Sequence, residues 1–145
     1  MKAVPIPLWQ EKKISSKPGK INKMSEFDFK IEGMTIAITK MEEMLTFYEN
    51  VFQIKFEEKA MFGSKLYAGV WGNLNLLFCP AKIAGNTATQ NRHQFDIIVP
   101  NLQKTIEKAT RFGGKTMSDI VEDDSSSSVG IYDPDNNSIL FKQLK

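Results

Sequence analysis

A chain of 145 residues accommodates one domain with a real core and is too short for two ordinary ones. Hydrophobic residues at 41% and charged residues at 25% exclude a disordered chain, and no run approaches the ~18 apolar residues of a membrane span. The net charge of +2 is uneven: residues 1–24 carry six lysines against Glu11, which leaves an acidic remainder. That distribution excludes a nucleic-acid-binding domain, which would carry its positive charge on one structured face.

Residues 1–28 read as a basic tail and residues 29–145 as the domain. Pro5 and Pro7 interrupt the only candidate apolar stretch near the start, so no secretory signal is expected. Trp9 stands alone among the lysines, without the aromatic interleaving of a single-strand binder. Met24 is an alternative start, with residues 1–23 an upstream extension. The single cysteine, Cys79, forbids an internal disulfide and points to a reducing compartment, so a cytoplasmic protein is expected.

The first periodic pattern begins near Ile31. Met34, Ile36 and Ile38 alternate with Gly33, Thr35 and Ala37, which predicts a half-buried strand. The period then changes: Met41, Met44, Leu45, Tyr48, Val51 and Phe52 form one helical stripe and predict a helix over 41–52. Glu42 and Glu43 suit its positive end. Three strands are expected next, at Ile54–Lys59, Lys65–Trp71 and Leu74–Phe78, separated by the turn residues Gly63-Ser64 and Gly72-Asn73. Residues 80–91 are polar and read as a linker.

The order then repeats. Phe95, Ile97 and Val99 alternate with Gln94, Asp96 and Ile98. Pro100 ends the strand, and Asn101 is a good helix N-cap. Leu102, Ile106, Ala109 and Phe112 predict a second helix over 102–112, closed by Gly113-Gly114. Strands are expected at Lys115–Val121, Ser127–Tyr132 and Ser138–Lys142. A shift of 61 residues lays Ile38 on Val99, Met41 on Leu102 and Leu45 on Ile106. The chain is therefore read as α+β, with two βαβββ halves at about 31–79 and 92–143.

Two stretches resemble the vicinal oxygen chelate superfamily, the group of glyoxalases, bleomycin-resistance proteins and extradiol dioxygenases. Lys40–Tyr48 is similar to its D-L-x-x-S-x-x-F-Y helix start, with Lys40 in place of the aspartate. Tyr132–Phe141 is similar to its D-P-D-G-N-x-x-E-L turn and strand, with Asn136 in place of glycine. Asn tolerates the positive φ that this turn position takes. The resemblance implies cupped sheets around a cavity, and in many members a divalent metal held by four inward side chains. The corresponding positions here are Gly33, Gln94, Leu140 and, in the nearest register, Asn75. Two amides and two residues without donor atoms do not replace the hydration shell of such an ion, so no cofactor is expected.

Asp96 shares a strand face with Gln94 and is the best polar candidate for contacting a ligand or acting as a base. His93 reads as a strand-edge residue unless the register slips by one. Tyr67, Trp71 and Phe78 are expected mainly as core, although Trp71 could serve as a ligand platform. Cys79 has no histidine or helix start nearby and reads as an inert buried thiol. The leading expectation is a metal-free, small-molecule-binding homodimer, with Asn75, Gln94, Asp96, Trp71 and Leu140 on the ligand surface. No catalytic residue is assigned beyond the candidate Asp96. The competing readings are a metal-dependent lyase or dioxygenase of the same superfamily that uses an atypical pair such as His93 and Asp96, and an interaction module with a filled cavity.

Overall fold

The computed structural model describes residues 26–145, so all of the tail but its last three residues, with Trp9 and the alternative start at Met24, lies outside the described residues. Ile31–Lys145 forms one compact unit. Its elements run β1 (Gly33–Ile38), α1 (Met41–Val51), β2 (Glu57–Met61), β3 (Ser64–Trp71), β4 (Leu74–Pro80), α2 (Ala81–Ala84), β5 (Phe95–Ile98), α3 (Leu102–Arg111), β6 (Lys115–Thr116), β7 (Val121–Glu122), β8 (Ser126–Tyr132) and β9 (Ser138–Leu144). No helix among the described residues is long and apolar enough to cross a membrane.

The duplication read from the sequence is visible in the topology. The first sheet has the order β1-β4-β3-β2 and the second β5-β9-β8-β6, with β7 also pairing β8. In each half the first strand runs parallel to the last, and the last pairs antiparallel with the strand before it. The fold is α+β with two βαβββ halves.

Both long helices fall where the apolar stripes place them. Asn101 caps α3 by accepting a bond from the Lys104 amide at 2.9 Å, and Gly113 ends the helix at φ +99°. Phe62 and Gly63, at φ +54° and +68°, form the two-residue turn between β2 and β3, a pair of left-handed residues suited to a tight hairpin. Three expectations need correction. The strand expected over Ile54–Lys59 starts only at Glu57 and runs to Met61, because Ile54 and Phe56 pack on the core ahead of it instead of joining the sheet. The linker forms the one-turn helix α2, because Gly85 takes the left-handed conformation that closes it. The strand expected over Lys115–Val121 is split into β6 and β7. The Met117 amide still donates to the Gly130 carbonyl at 2.9 Å, and the chain leaves β8 after it: from Thr116 opposite Ile131 to Val121 opposite Ser128 it has residues in excess of its partner, which bulge out of the ladder.

One core joins the halves. Ile38, Leu76 and Phe78 of the first sheet, Met44 and Phe47 of α1, and Val129, Ile131, Ile139 and Phe141 of the second sheet belong to one buried cluster. Each sheet therefore turns one face to the shared core and the other away from it. Tyr67, Trp71 and Phe78 all lie on core faces, as the period-2 alternation requires. Trp71 touches Tyr48, Phe52 and Phe95, with ring centroids 4.9–5.3 Å apart.

Candidate functional site

The two stretches that carry the family resemblance meet in space. Tyr48, in α1, donates its hydroxyl hydrogen to the Asp133 carboxylate at 2.9 Å. Asp133, only 2% exposed, also accepts from the Asp135 and Asn137 amides and from the Asn137 side chain. Burial pushes the Asp133 carboxyl above its ordinary range, against the pull of these donors. Burial first, and then the neighbouring Asp133, holds the Tyr48 phenol well above its ordinary value. A phenol that keeps its proton and a carboxylate whose oxygens are occupied are poor catalysts and good structural partners.

The same turn supplies the helix cap that Lys40 lacks. The Asp135 carboxylate accepts from the Thr39 and Lys40 amides at 2.8 and 3.0 Å. A negative group at a helix start is favoured both as an acceptor and by the helix dipole. Asn136 stands at φ +65°, the conformation that the glycine of the resembling motif would adopt. The sequence shows both motifs but not their contact, because Tyr48 and Asp133 are 85 residues apart.

The positions that would hold a metal do not converge on a donor set. Gly33 is the register partner of Asn75, and a Cβ on Gly33 would overlap the Asn75 carbonyl oxygen. Glycine is therefore required by the close approach of the two strands, and a ligating side chain has no room. Leu140 is the register partner of Asp96 and carries no donor. Among the described residues, no three His, Cys, Asp or Glu side chains come close enough to hold a metal ion. The residues present do not fit the divalent ion that the superfamily resemblance implies.

The structure distributes the five sequence-selected residues over three surfaces. Gln94, Asp96 and Leu140 share the outer face of the second sheet, where the Gln94 amide donates to the Asp96 carboxylate at 3.2 Å. Asn75 lies on the outer face of the first sheet, opposite the buried Leu76 and Phe78. Trp71 faces the core, which removes it from the outer surface on which a ligand would meet Asn75. His93 lines a separate pocket of about 390 Å³ at the seam between the halves, and Asp96 is not part of that lining.

The register of β5 is as the alternation predicts: Ile97 and Val99 pack on the core, while Asp96 and Ile98 are exposed. Ile97→Ala is accordingly expected to cost about 2 kcal/mol, through lost burial and a residual void. Asp96→Ala should fall within about 0.5 kcal/mol of the parent, because an exposed carboxylate leaves no buried partner behind. Urea unfolding of the two variants checks this, and the reverse order would place the strand one residue out.

The duplicated βαβββ fold with a shared core is that of the vicinal oxygen chelate superfamily. The glyoxalase-like domain family matches residues 33–141, and the chain belongs to that family. Solved structures agree on the fold. A fosfomycin resistance protein from Mesorhizobium loti is 15% identical with a TM-score of 0.62, over 83% of this chain and 93% of its own. An antibiotic-binding protein from a Streptomyces species is 9% identical with a TM-score of 0.62, over 83% of this chain and 100% of its own. A glyoxalase/bleomycin resistance protein/dioxygenase family enzyme from Burkholderia phytofirmans is 16% identical with a TM-score of 0.61, over 79% of this chain and 98% of its own. At these identities the likeness establishes the fold. No curated protein matches the chain.

Proposed function

We propose that this glyoxalase-like protein binds a small organic molecule without a metal, on a surface completed by a second copy of the chain. The observation that carries the first half is the contact between Gly33 and Asn75: a metal ligand at position 33 is sterically barred. The outer faces mix polar and apolar groups, with Thr35, Ala37 and Asn75 on one sheet and Gln94, Asp96 and Leu140 on the other. Such a surface suits an amphipathic ligand better than a hard cation. The antibiotic-binding and fosfomycin-resistance neighbours are compatible with this class of ligand.

Purified protein should contain no stoichiometric Zn, Ni, Mn or Fe, and chelator should leave its melting temperature unchanged. A metal present at 100 times its dissociation constant would add about 2.7 kcal/mol of stability, so the measurement is sensitive. One equivalent of metal, lost on Gln94→Ala, would overturn the reading in favour of a metal-dependent lyase or dioxygenase.

The second half follows from the faces that the core leaves outside. The two outer faces look away from a common core, so one chain does not enclose a ligand between them. Strands β1 and β5 each end their sheet, and open edges favour pairing. A two-fold homodimer that sets the second sheet of one copy beside the first sheet of the other would close the cup. Light scattering should then give a particle of about twice 16.4 kDa. A single-chain particle at micromolar concentration would leave the cup open and sink this part of the proposal.

A further inference from the structure

The seam pocket carries a second, distinct inference. Its floor is apolar, built from Met34 and Ile36 of β1, Phe95 of β5, Ile139 of β9 and the ring of Tyr48. Its rim is the polar linker, with Asn86, Gln90, Asn91, Arg92 and His93. At about 390 Å³ it has the volume of a small-ligand site rather than of a packing defect. Thr35 and Ala37 of β1 line it as well, but Asn75, Gln94, Asp96 and Leu140 do not, so the pocket is centred away from the outer surface that holds Asp96 and Leu140.

The rim is fixed in place. The Asn91 side chain accepts from the Ser138 amide and hydroxyl at 3.1 and 3.2 Å, and donates to the carbonyls of Ser138 and His93. One side chain thus pins the linker to the start of β9 and holds the two residues that follow it, Arg92 and His93, at the pocket mouth. Among the described residues, neither side chain has a hydrogen-bond or ion-pair partner, and no acidic side chain lines the pocket. A guanidinium presents donors in a planar fork that matches a carboxylate in bidentate geometry, and an imidazole N–H adds another donor.

We propose that the seam pocket binds a small organic carboxylate, its aromatic or branched aliphatic body on the Met34–Phe95–Ile139 floor and its carboxylate on Arg92, with His93 beside it. The site differs from the outer-face cup in its polar anchor, since Arg92 and His93 line it and Asp96 and Leu140 do not. The selectivity is electrostatic at the rim and apolar at the floor, so a neutral analogue of the same shape keeps only the second contribution.

The test is an amide-resolved NMR titration of the full chain with benzoate, 3-phenylpropionate and 4-methylpentanoate, each beside its primary carboxamide. At least one acid should give saturable shifts centred on Ile36, Phe95 and Ile139, with a dissociation constant at least tenfold below that of its amide. Arg92→Ala should abolish that acid–amide difference, and His93→Gln should reduce it severalfold. Arg92 is exposed, so its removal leaves the fold intact, which the unchanged spectrum of the unbound variant will confirm. Absence of saturable shifts for all three acids at millimolar concentration overturns the proposal, and so does equal binding of acid and amide or an acid preference that survives Arg92→Ala. Shifts centred on Asp96 and Leu140 would also overturn it, while supporting the outer-face reading. Conversely, Asp96→Ala bears on the cup alone, so the two proposals fail separately.

Discussion

Asp133→Ala is expected to cost about 4 kcal/mol or more, enough to leave a marginal domain of this size largely unfolded near its working temperature. The substitution orphans the Tyr48 hydroxyl, the Asp135 and Asn137 amides and the Asn137 side chain together. Each buried group left without a partner costs about 1–3 kcal/mol, and water entering the site recovers part of the total. Tyr48→Phe is the control: it removes one donor and leaves three on the carboxylate, so about 1 kcal/mol is expected. Urea melts of the two variants read the difference directly. An Asp133→Ala cost no larger than that of Tyr48→Phe would mean that the Tyr48–Asp133 clamp does not hold the halves together.

The same residue sets a pH dependence with a definite sign. Burial raises the Asp133 carboxyl above 3.8, so the folded state holds its proton more tightly than the unfolded chain. The proton-linked part of its contribution is complete below 3.8 and is lost as pH rises through the raised value. Asp133→Asn does not titrate, so the stability difference between the parent and this variant should narrow as pH rises across that window. A widening difference would show that the hydrogen bonds from Asn137, Tyr48 and Asp135 outweigh the burial.

Phe47→Ala is the second large effect, expected at about 3–5 kcal/mol. Phe47 is fully buried in the shared core and meets Tyr48 and Phe52 edge to face. Its Cε2 stands 2.8 Å from where a Cβ on Gly114 would be, and the Ala109 carbonyl lies 2.9 Å from the same point. The ring of the first half thus sits directly on the backbone that follows the second helix. Close packing on both sides leaves little room to collapse, so the void persists and its full cost is felt. A thermal melt showing a drop of only a few degrees would mean that the halves can move together to fill it. Phe47 and Asp133 report on the same joint through different physics, one by dispersion and one by hydrogen bonding.

The period of the apolar residues carries most of the local structure. The stripe Met41–Phe52 and the stripe Leu102–Phe112 give both helices, and the alternation Gln94–Val99 gives the register that puts Ile97 inside and Asp96 outside. The 61-residue shift shows the duplication, and hence the repeated strand order, because a repeated pattern of burial demands a repeated layer arrangement. The identity of Gly33 and Leu140 already rules out a side-chain donor at those positions.

Several features depend on residues far apart and are not written in any local pattern. Lys40 reads as an uncapped helix start, yet Asp135 supplies the cap from the other half. Tyr48 and Asp133 each look like a motif residue, but only folding reveals that they are one hydrogen bond. Trp71 reads mainly as core with a platform role left open, and only the second sheet decides it by closing Phe95 over the ring. The seam pocket is invisible for the same reason, since β1, β9 and the linker meet only after the halves dock. By itself the sequence determined the two βαβββ halves, the inward and outward faces of β1 and β5 and the missing donors, because periodicity and side-chain chemistry are local properties. Only the tertiary structure decided that the halves share one core through the Tyr48–Asp133 clamp and turn their outer faces apart, because contacts across 85 residues are set by how apolar faces pack, not by their spacing in the chain.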